Sequence, residues 1–515
     1  MVLLTELPPE IVHHVLGYVD PPDLAWIPRI CKSFYYTVKG NASLFKDVYL
    51  NHFDQPSTKS SVDWEKGLKD IVRLQVICDD RKNIQNKKDE LPFVYDTVKT
   101  FLQNAATDTE RVQFTTYPES RNARLLGSIF GKEANQAAFL CRSFLFERAR
   151  RNIENEGMFK EHERENHQKS AHLHCLYGAP MLYAQPESPK TRHNKMSPYA
   201  CSKVYDLRQY SQKSRWGPFM SGDDNDSDDG VDRVDWEKVE AILIVIGANL
   251  RKLGFMKFPI CKNFWDEPFA GTWPMSYKPR ELEPLEQQDP YGITGTWLRV
   301  VCFLDYTDFF AYNFTSENND RRIARPAIDV GEATRLILMK LHVTGIEPPG
   351  PNDGQELPVV HFEGISRSLD DSYDENANSD LRGMRGSVRL TRDGEVRWTT
   401  FSVFSGVERW RSESVQIGGV KSAKGVFGNW FDKDFDPRGP AGPTVFWKVS
   451  DKISEAGGYN AFLRDFMPAA TEEHLADSED EYEPGHSGDE DDDDDEPGLE
   501  LEITGITWGV SWTDD

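Results

Sequence analysis

Residues 4–50 have the sequence LTELPPEIVHHVLGYVDPPDLAWIPRICKSFYYTVKGNASLFKDVYL, in which apolar residues recur at helical spacing between prolines. Pro8 and Pro9 favour the first turn of a helix, because the N–H that proline lacks has no helical partner there. Residues 20–23 and Pro28 predict two interruptions, and hence three short helices. Helices this short bury too little apolar surface to be stable alone. We therefore expect the excess apolar surface to dock on something else.

Five short motifs occur in this segment in a fixed order. They are Leu7-Pro8-x-Glu10-Ile11, Val15-Leu16, Asp20-Pro21-x-Asp23-Leu24, Ile30-Cys31-Lys32-x-Phe34 and Ser43-Leu44-Phe45. Together they resemble an F-box over residues 1–55. The sequence departs from the usual pattern at Pro28, where a helical residue is common, and at Phe45, where the family often has Trp. An ordinary N-terminal helical hairpin is the alternative interpretation.

The resemblance implies both a partner and a role. F-box segments bind the Skp adaptor of cullin–RING ubiquitin ligases, and the remainder of such chains captures a protein substrate. The chain would then be a non-catalytic substrate-recognition subunit of an SCF-type ligase, acting by effective concentration. The residues predicted to bind the adaptor are Leu7, Pro8, Ile11, Val15, Leu16, Pro21, Leu24, Ile30, Cys31 and Phe34. A charge at Leu16 or Leu24 is predicted to abolish co-purification with the adaptor while leaving the barrel folded.

The composition is that of a globular protein with two or three domains, at 515 residues and 38% hydrophobic. The formal net charge of -25 is concentrated in an acidic loop at 221–232 and an acidic insertion at 470–498. We expect the loop to be exposed and the insertion to be disordered. Without these two runs the chain is only mildly acidic, which argues against nucleic acid as a partner, because phosphate-backbone binding needs a basic surface.

The cysteines and the apolar runs bear on the compartment. The 7 cysteines are scattered and never form a CxxC pair, which indicates reduced thiols. Residues 1–10 lack the basic start and apolar core of a signal peptide. The longest apolar run, Ala241–Ile246, is far shorter than a membrane crossing. We therefore expect a cytoplasmic or nuclear protein with no membrane partner.

Residues 56–284 are predicted to form a mainly helical scaffold. Helical periodicity predicts helices over Trp64–Val76, Pro92–Leu102 and Glu133–Arg151. Asp235 is predicted to cap a further helix whose apolar residues occupy both faces, so we expect that helix to be buried nearly all round.

From residue 285 the hydrophobic period changes to two, which predicts strands. The predicted strands are Thr296–Leu304, Phe309–Phe314, Arg335–Val343, Pro358–Glu363, Val388–Leu390, Val396–Trp398, Thr399–Phe404, Val415–Ile417, Val426–Phe431, Thr444–Val449 and Ile506–Trp512. Asp393-Gly394 predicts a hairpin turn. Residues 285–515 should therefore form a lipocalin-like antiparallel barrel or sandwich, with the last strand closing the sheet after the acidic insertion. The whole chain is predicted to be α+β.

This carboxyl-terminal half carries a second resemblance. The motifs are Gly292-x-x-Gly295-Thr296-Trp297, Gly425-Val426-Phe427-Gly428, Trp430-Phe431-Asp432 and Phe446-Trp447. They are similar to the β-barrel of the animal F-box receptor that targets cyclin D, and to a broad set of fungal F-box proteins. In the animal family that barrel reads the C-terminal ends of substrates. Here Leu298-Arg299-Val300 replaces the usual glycine-tyrosine-glycine, so the architecture carries over while the ligand stays open.

Tryptophans and arginines of the strands are the candidates for a substrate pocket. These residues are Trp297, Arg299, Trp398, Arg409, Trp410, Arg411 and Trp430. Two guanidinium groups beside the indole of Trp410 are costly to bury without an anionic partner. The alternative is that the tryptophans simply fill the barrel. A second function, a small-molecule-binding barrel that uses its F-box outside the ligase, would need an open, arginine-lined mouth rather than a filled interior.

The sequence contains no recognisable reaction centre. A phosphate loop, a dinucleotide glycine fingerprint, a GxSxG elbow and an HExxH motif are all missing. One cluster has zinc-ligand chemistry, namely His162, His167, His172, His174 and Cys175. Its spacing matches no standard zinc module, and a packed helical segment is the alternative. We therefore predict a non-enzymatic chain with no catalytic residue, cofactor or metal.

Overall fold

A computed structural model describes most of the chain. The described residues are 7–56, 63–79, 84–103, 120–151, 153–178, 189–220, 232–272, 282–315, 320–369 and 382–451. The acidic loop up to residue 231, the acidic insertion 470–498 and the predicted strand Ile506–Trp512 lie outside these residues.

The described part of the chain is helical first and then a β-barrel. The helices are α1 (Pro9–Gly17), α2 (Pro21–Leu24), α3 (Lys32–Val38), α4 (Ala42–His52), α5 (Trp64–Ile77), α6 (Ile84–Lys88), α7 (Leu91–Gln103), α8 (Arg121–Phe130), α9 (Glu133–Asn135), α10 (Phe144–Arg151), α11 (Glu161–Tyr177), α12 (Pro189–Val204), α13 (Trp236–Lys252), α14 (Pro259–Asp266), α15 (Pro284–Gln287) and α16 (Tyr306–Phe314). The strands are β1 (Gly295–Leu304), β2 (Glu332–Glu347), β3 (Val359–Ser368), β4 (Arg382–Leu390), β5 (Val396–Phe404), β6 (Val407–Gln416), β7 (Val426–Asp432) and β8 (Ala441–Ser450). The predicted α+β class is confirmed.

The amino-terminal helices form as the prolines and caps predict. Helix α1 begins at Pro9, and a short 3₁₀ turn at Ile27–Arg29 follows α2, so Pro28 does interrupt the helical pattern. The Asn41 side chain caps α4 by accepting a hydrogen bond from the Leu44 N–H at 3.1 Å. Helix α1 packs on α4, and α2 packs on α5. The first fifty residues therefore do not stand alone but join the helical scaffold.

Helix α13 is the centre of the molecule. Asp235 caps it, as predicted, by accepting a hydrogen bond from the Lys238 N–H. Its residues from Trp236 to Ile246 are all buried. Helices α11 and α12 pack against it, and so do strands β1, β2, β7 and β8. One apolar core therefore runs from the first helices to the outer surface of the barrel. The division into domains 1–55, 56–284 and 285–515 stays a prediction.

All eight strands are antiparallel to their neighbours and close into a barrel in sequence order. Strand β8 closes it by pairing with β1, for example Arg299 with Phe446. The predicted β4–β5 hairpin is present, with Gly394 at φ 78° in its turn. The alternation of strand residues places Leu298 and Trp447 outside, where Trp447 stacks on Phe264 of α14 at 4.2 Å between ring centroids.

Four strand or helix predictions are wrong in detail. The aromatic segment Phe309–Phe314 lies in helix α16, capped by Asp305. Residues 396–404 form one strand rather than two. The predicted helix Glu133–Arg151 is broken after a π-helical turn at Gln136–Leu140, because Cys141 leaves the helical conformation at φ -106°, ψ 41°. Barrel closure needs no strand from residues 506–512, since β8 already pairs with β1.

None of the helices among the described residues combines the length and the apolarity that a membrane crossing requires.

Candidate functional site

The amino-terminal helices expose several large apolar side chains. We define the F-box face as Ile11, Val15, Tyr18, Trp26, Ile30, Tyr35 and Tyr36. Ile30 is 68% exposed and Tyr36 is 74% exposed, whereas such side chains usually lie inside. The Arg29 guanidinium lies 4.4 Å from the Trp26 ring centroid, a cation–π contact that orients the indole. Exposure of so many large apolar side chains within one short segment is typical of a docking surface.

The structure divides the residues predicted to bind the adaptor into two groups. Pro8, Ile11, Val15 and Ile30 are exposed, and Leu7 and Cys31 are half-buried. Pro21 and the side chains of Leu16, Leu24 and Phe34 are buried within the chain itself.

The buried group corrects the predicted effect of a charge at Leu16 or Leu24. Leu16 is 2% exposed, and Leu24 is 4% exposed. A charge at either position disrupts the packing of α1 and α2 on α4 and α5, so loss of adaptor binding there reports unfolding of the segment. Tyr18, Trp26, Tyr35 and Tyr36 are exposed residues of this face that the predicted adaptor-binding set does not contain. The density of aromatic residues in the segment is the sequence signal that points to them.

One half of the barrel interior is filled with aromatic side chains. The rings of Trp297 and Trp398 are 5.2 Å apart, and Phe446 and Phe362 contact Trp398 at 5.5 and 5.6 Å. Both indole N–H groups are satisfied, Trp297 by the Ile293 carbonyl and Trp398 by the Gln416 side chain. Trp297 and Trp398, predicted as pocket residues, therefore belong to the core of the barrel.

The opening at this filled end is small. A cavity of about 20 Å³, lined by Tyr291, Gly292, Trp297, Gln416, Lys421, Ser422, Ala423 and Lys448, lies there. That volume holds about one water molecule. This end therefore has no room for a metabolite without rearrangement.

The other half of the interior is polar. The strand register gives it the inward positions Arg299, Ser366, Thr400, Ser412, Ser414 and Thr444. Arg299 is 5% exposed, and its Nε donates a hydrogen bond to Thr444 Oγ1 at 2.9 Å. Desolvation lowers the pKa of Arg299 to about 10. The hydroxyls of Thr400 and Ser412 are hydrogen-bonded to each other. We call this set the polar interior.

Two tryptophans lie at the same end of the barrel, beyond the polar interior. Trp410 and Trp430 meet edge to face with centroids 5.2 Å apart, and both are half-buried. The Trp430 N–H donates to the Cys302 carbonyl at 3.0 Å. Phe303 packs against Trp430, and the exposed Arg335 lies over the Phe303 ring. We call these four residues the aromatic mouth.

The predicted Arg409–Trp410–Arg411 cluster does not form one site, because neighbouring strand residues face opposite sides. Arg411 points outward and pairs with Glu413, which also accepts a hydrogen bond from Arg397 at 2.8 Å. The anionic partner expected for Arg411 is therefore a side chain of the protein itself, Glu413. Arg409 is exposed.

The histidine and cysteine cluster is a packed part of helix α11. His172 stacks on Trp236 with centroids 3.4 Å apart, and its Nδ1 contacts the Tyr95 hydroxyl at 2.9 Å. His174 Nδ1 contacts Glu240 at 2.6 Å. His167 lies against Phe159, and burial lowers its pKa to about 4.

The remaining two members of that cluster also point away from a shared centre. His162 is exposed, and the Cys175 Sγ lies 3.9 Å from the Trp236 carbonyl. Within the described ranges, no three His, Cys, Asp or Glu side chains come together to hold a metal. The packed-helix alternative therefore accounts for these residues, and the zinc alternative does not.

Comparison with known proteins identifies one part of the chain. Residues 4–51 match the family model described as F-box-like, and this range spans α1 to α3 and nearly all of α4. Neither a curated protein nor a solved structure matches the chain. The resemblance of the barrel to the receptor that targets cyclin D, and to fungal F-box proteins, stays a hypothesis. Residues 4–51 form an F-box-like domain, and this supports assigning the chain to the F-box proteins.

Proposed function

We propose that this protein is the substrate-recognition subunit of an SCF-type cullin–RING ubiquitin ligase, binding the Skp adaptor through the F-box face. The observation that carries the proposal is the number of exposed large apolar side chains on the very segment that matches the F-box-like model. F-box domains are typical of non-catalytic receptors, so the chain itself makes and breaks no bond. It acts in the cytoplasm or the nucleus.

The scaffold supports this role because it connects the two ends of the receptor. The apolar core is continuous from Val12 and Leu16 of α1 to Val445 and Trp447 of β8. A receptor works by holding a bound substrate at a fixed distance from the ubiquitin carrier, and a rigid scaffold raises the effective concentration of the substrate lysine. We assign substrate binding to the barrel, at the end that carries the polar interior and the aromatic mouth.

Co-elution of the full chain with a recombinant Skp adaptor tests the adaptor half of this proposal. We expect a stoichiometric complex on size-exclusion chromatography, which then recruits a cullin–RING pair and supports ubiquitin transfer. A folded chain that elutes separately from a folded adaptor at micromolar concentration would contradict the proposal.

The alternative function, a small-molecule-binding barrel acting outside the ligase, needs an interior cavity. The filled half with Trp297 and Trp398 leaves only the cavity of about 20 Å³ at that end, which is too small for a metabolite. Native mass spectrometry of the purified full chain separates the two functions, because a bound metabolite favours the binder and a trapped peptide favours the receptor.

A further inference from the structure

We propose that a cleft in the helical scaffold binds a tetrahedral oxyanion, a phosphate or sulfate group. The cleft has a volume of about 40 Å³, and residues of α10, α12, α13 and the segment 321–325 line it. None of its lining residues belongs to a strand. The inference concerns a ligand site apart from the adaptor and substrate surfaces, so it does not depend on the proposed receptor function. The cationic side chains that line the cleft are Arg148, Lys203, Arg321, Arg322 and Arg325.

The first argument is that Arg148 is buried without a counter-ion. It is 5% exposed. One terminal nitrogen donates a hydrogen bond to Ser202 Oγ at 3.3 Å, and the other donates to the Arg325 carbonyl, while Nε has no hydrogen-bond partner. No carboxylate of the described ranges lies within 4.0 Å of the guanidinium. A guanidinium is costly to take out of water unless an anion pairs with it, so a ligand that supplies the anion would be bound favourably.

Asp206 lines the same cleft and does not supply that anion, because two other arginines already share it. Arg208 contacts the Asp206 carboxylate at 2.7 Å, and Arg325 contacts it at 3.3 Å. Arg325 is 6% exposed, almost as buried as Arg148, and it carries its counter-charge with it. Arg325 therefore shows what a structural arginine looks like at this place, and Arg148 differs from it.

The two other carboxyl groups of the cleft interact with Lys203. Its Nζ lies 3.9 Å from Glu237 and 3.6 Å from Asp235, and Glu156, which is half-buried, interacts with it electrostatically. Burial raises the pKa of Glu237 well above its usual range, which favours a neutral carboxyl group that can donate a hydrogen bond. Five cationic side chains thus line the cleft against three carboxyl groups, one of which burial favours as neutral. The charge balance of the cleft favours an anion.

The second argument is the placement of the donors around the cleft. Arg148 comes from α10 and Lys203 from α12, while Arg321 and Arg322 are exposed residues of the segment before β2. Arg321 has no ion pair with another described residue, so its charge is available to a ligand. Donors from three elements suit an anion whose oxygen atoms point in several directions, and a phosphate or sulfate group has more such atoms than a carboxylate.

The size of the cleft agrees with this class of ligand. A volume of about 40 Å³ has room for about three water molecules. One tetrahedral oxyanion takes a similar space, whereas a whole metabolite does not fit. If the oxyanion belongs to a larger molecule, the remainder of that molecule has to lie in solvent, beside Arg321 and Arg322.

Calorimetric titration of the full chain with sodium phosphate, sodium sulfate and glycerol phosphate tests the site, with sodium chloride at matched ionic strength as the reference. We expect saturable binding of one anion per chain, and an unfolding midpoint that rises with anion concentration. Arg148→Met should abolish this binding, because it removes the buried charge. Arg151→Gln is the matched control: it changes an exposed arginine of the same helix and should bind anions as the wild type does.

A variant carrying both Arg321→Gln and Arg322→Gln keeps the test decisive if Arg148→Met does not fold. Both arginines are exposed, so this variant should fold, and its anion affinity should fall about two- to fivefold for each charge removed. Unchanged affinity in a folded Arg148→Met variant or in the double variant would overturn the site. So would a wild type that binds none of the three anions, or one that binds many ions per chain without saturation, which means an adventitious ion only. Saturable binding of glycerol phosphate assigns the phosphoryl group of a larger molecule, and saturable binding of the inorganic ions alone assigns a free phosphate or sulfate.

Discussion

Replacing Ile30 tests whether the F-box face binds the adaptor through its exposed side chains. Ile30 is 68% exposed, and full burial of an isoleucine side chain contributes about 1.5–3 kcal/mol. Burial of the exposed part of the Ile30 side chain should therefore contribute about 1–2 kcal/mol to the binding free energy. Ile30→Ala should then weaken adaptor binding roughly five- to thirtyfold. Ile30→Asp should weaken it further, because a carboxylate would lose its water in the interface. Neither change removes a buried contact, so the unfolding midpoint should stay at the wild-type value.

Titration calorimetry with recombinant adaptor, together with thermal unfolding, measures both quantities. Val407→Ala is the matched control, because Val407 is 64% exposed on the barrel and should leave the adaptor affinity unchanged. Leu16→Ala is the opposite comparator: Leu16 is 2% exposed, so the variant should lose about 2–5 kcal/mol of stability. Wild-type affinity in a folded Ile30→Asp variant would refute the assignment of the face.

Three further predictions concern the barrel and the scaffold, and urea unfolding checks each. Trp398→Ala should cost about 3–5 kcal/mol, because it empties the filled half of the barrel. Gly295→Ala should destabilise by about 1–3 kcal/mol, since φ is 147° and a Cβ would meet the Ser450 carbonyl at 2.5 Å. His167 has its pKa lowered to about 4 by burial, so stability should be full above pH 6.5 and fall by at most about 3 kcal/mol towards pH 4. His167→Phe should flatten that dependence, and an unchanged slope would contradict the assignment.

Much of the fold follows from periodicity and turn residues. The pattern of Val388–Leu390 and Val396–Trp398 around Asp393-Gly394 specifies a hairpin because only a few residues adopt the turn conformation. The sequence predicts a strand over Phe309–Phe314, where the structure has a helix, because closely spaced aromatic residues satisfy both the strand and the helix period. The Asp305 side chain accepts a hydrogen bond from the Thr307 N–H and so caps the segment as a helix.

The candidate sites were less predictable because they depend on which side of an element meets a neighbour. Val15 and Leu16 are adjacent apolar residues, and the local sequence does not indicate that Leu16 is buried while Val15 stays exposed. In the barrel, Arg299 and Arg411 are both strand arginines, but Arg299 faces the interior and Arg411 faces outward. Arg411 pairs with Glu413 two positions along its own strand, whereas Arg299 faces an interior whose other members come from four different strands. The composition of the interior becomes visible only when the pairing of all the strands is known.

Closure of the barrel limits how a protein substrate can be held. Every strand of the described sheet has two hydrogen-bonded neighbours, so the barrel has no edge strand, although residues 342–347 of β2 extend past its pairing with β1. The closed sheet therefore offers no full-length edge to which a peptide could add as a ninth strand, the mode that relies on main-chain pairing and tolerates many sequences. Recognition has to come from side chains and loops, which favours a reader that selects a particular chemical group over one that accepts any extended segment.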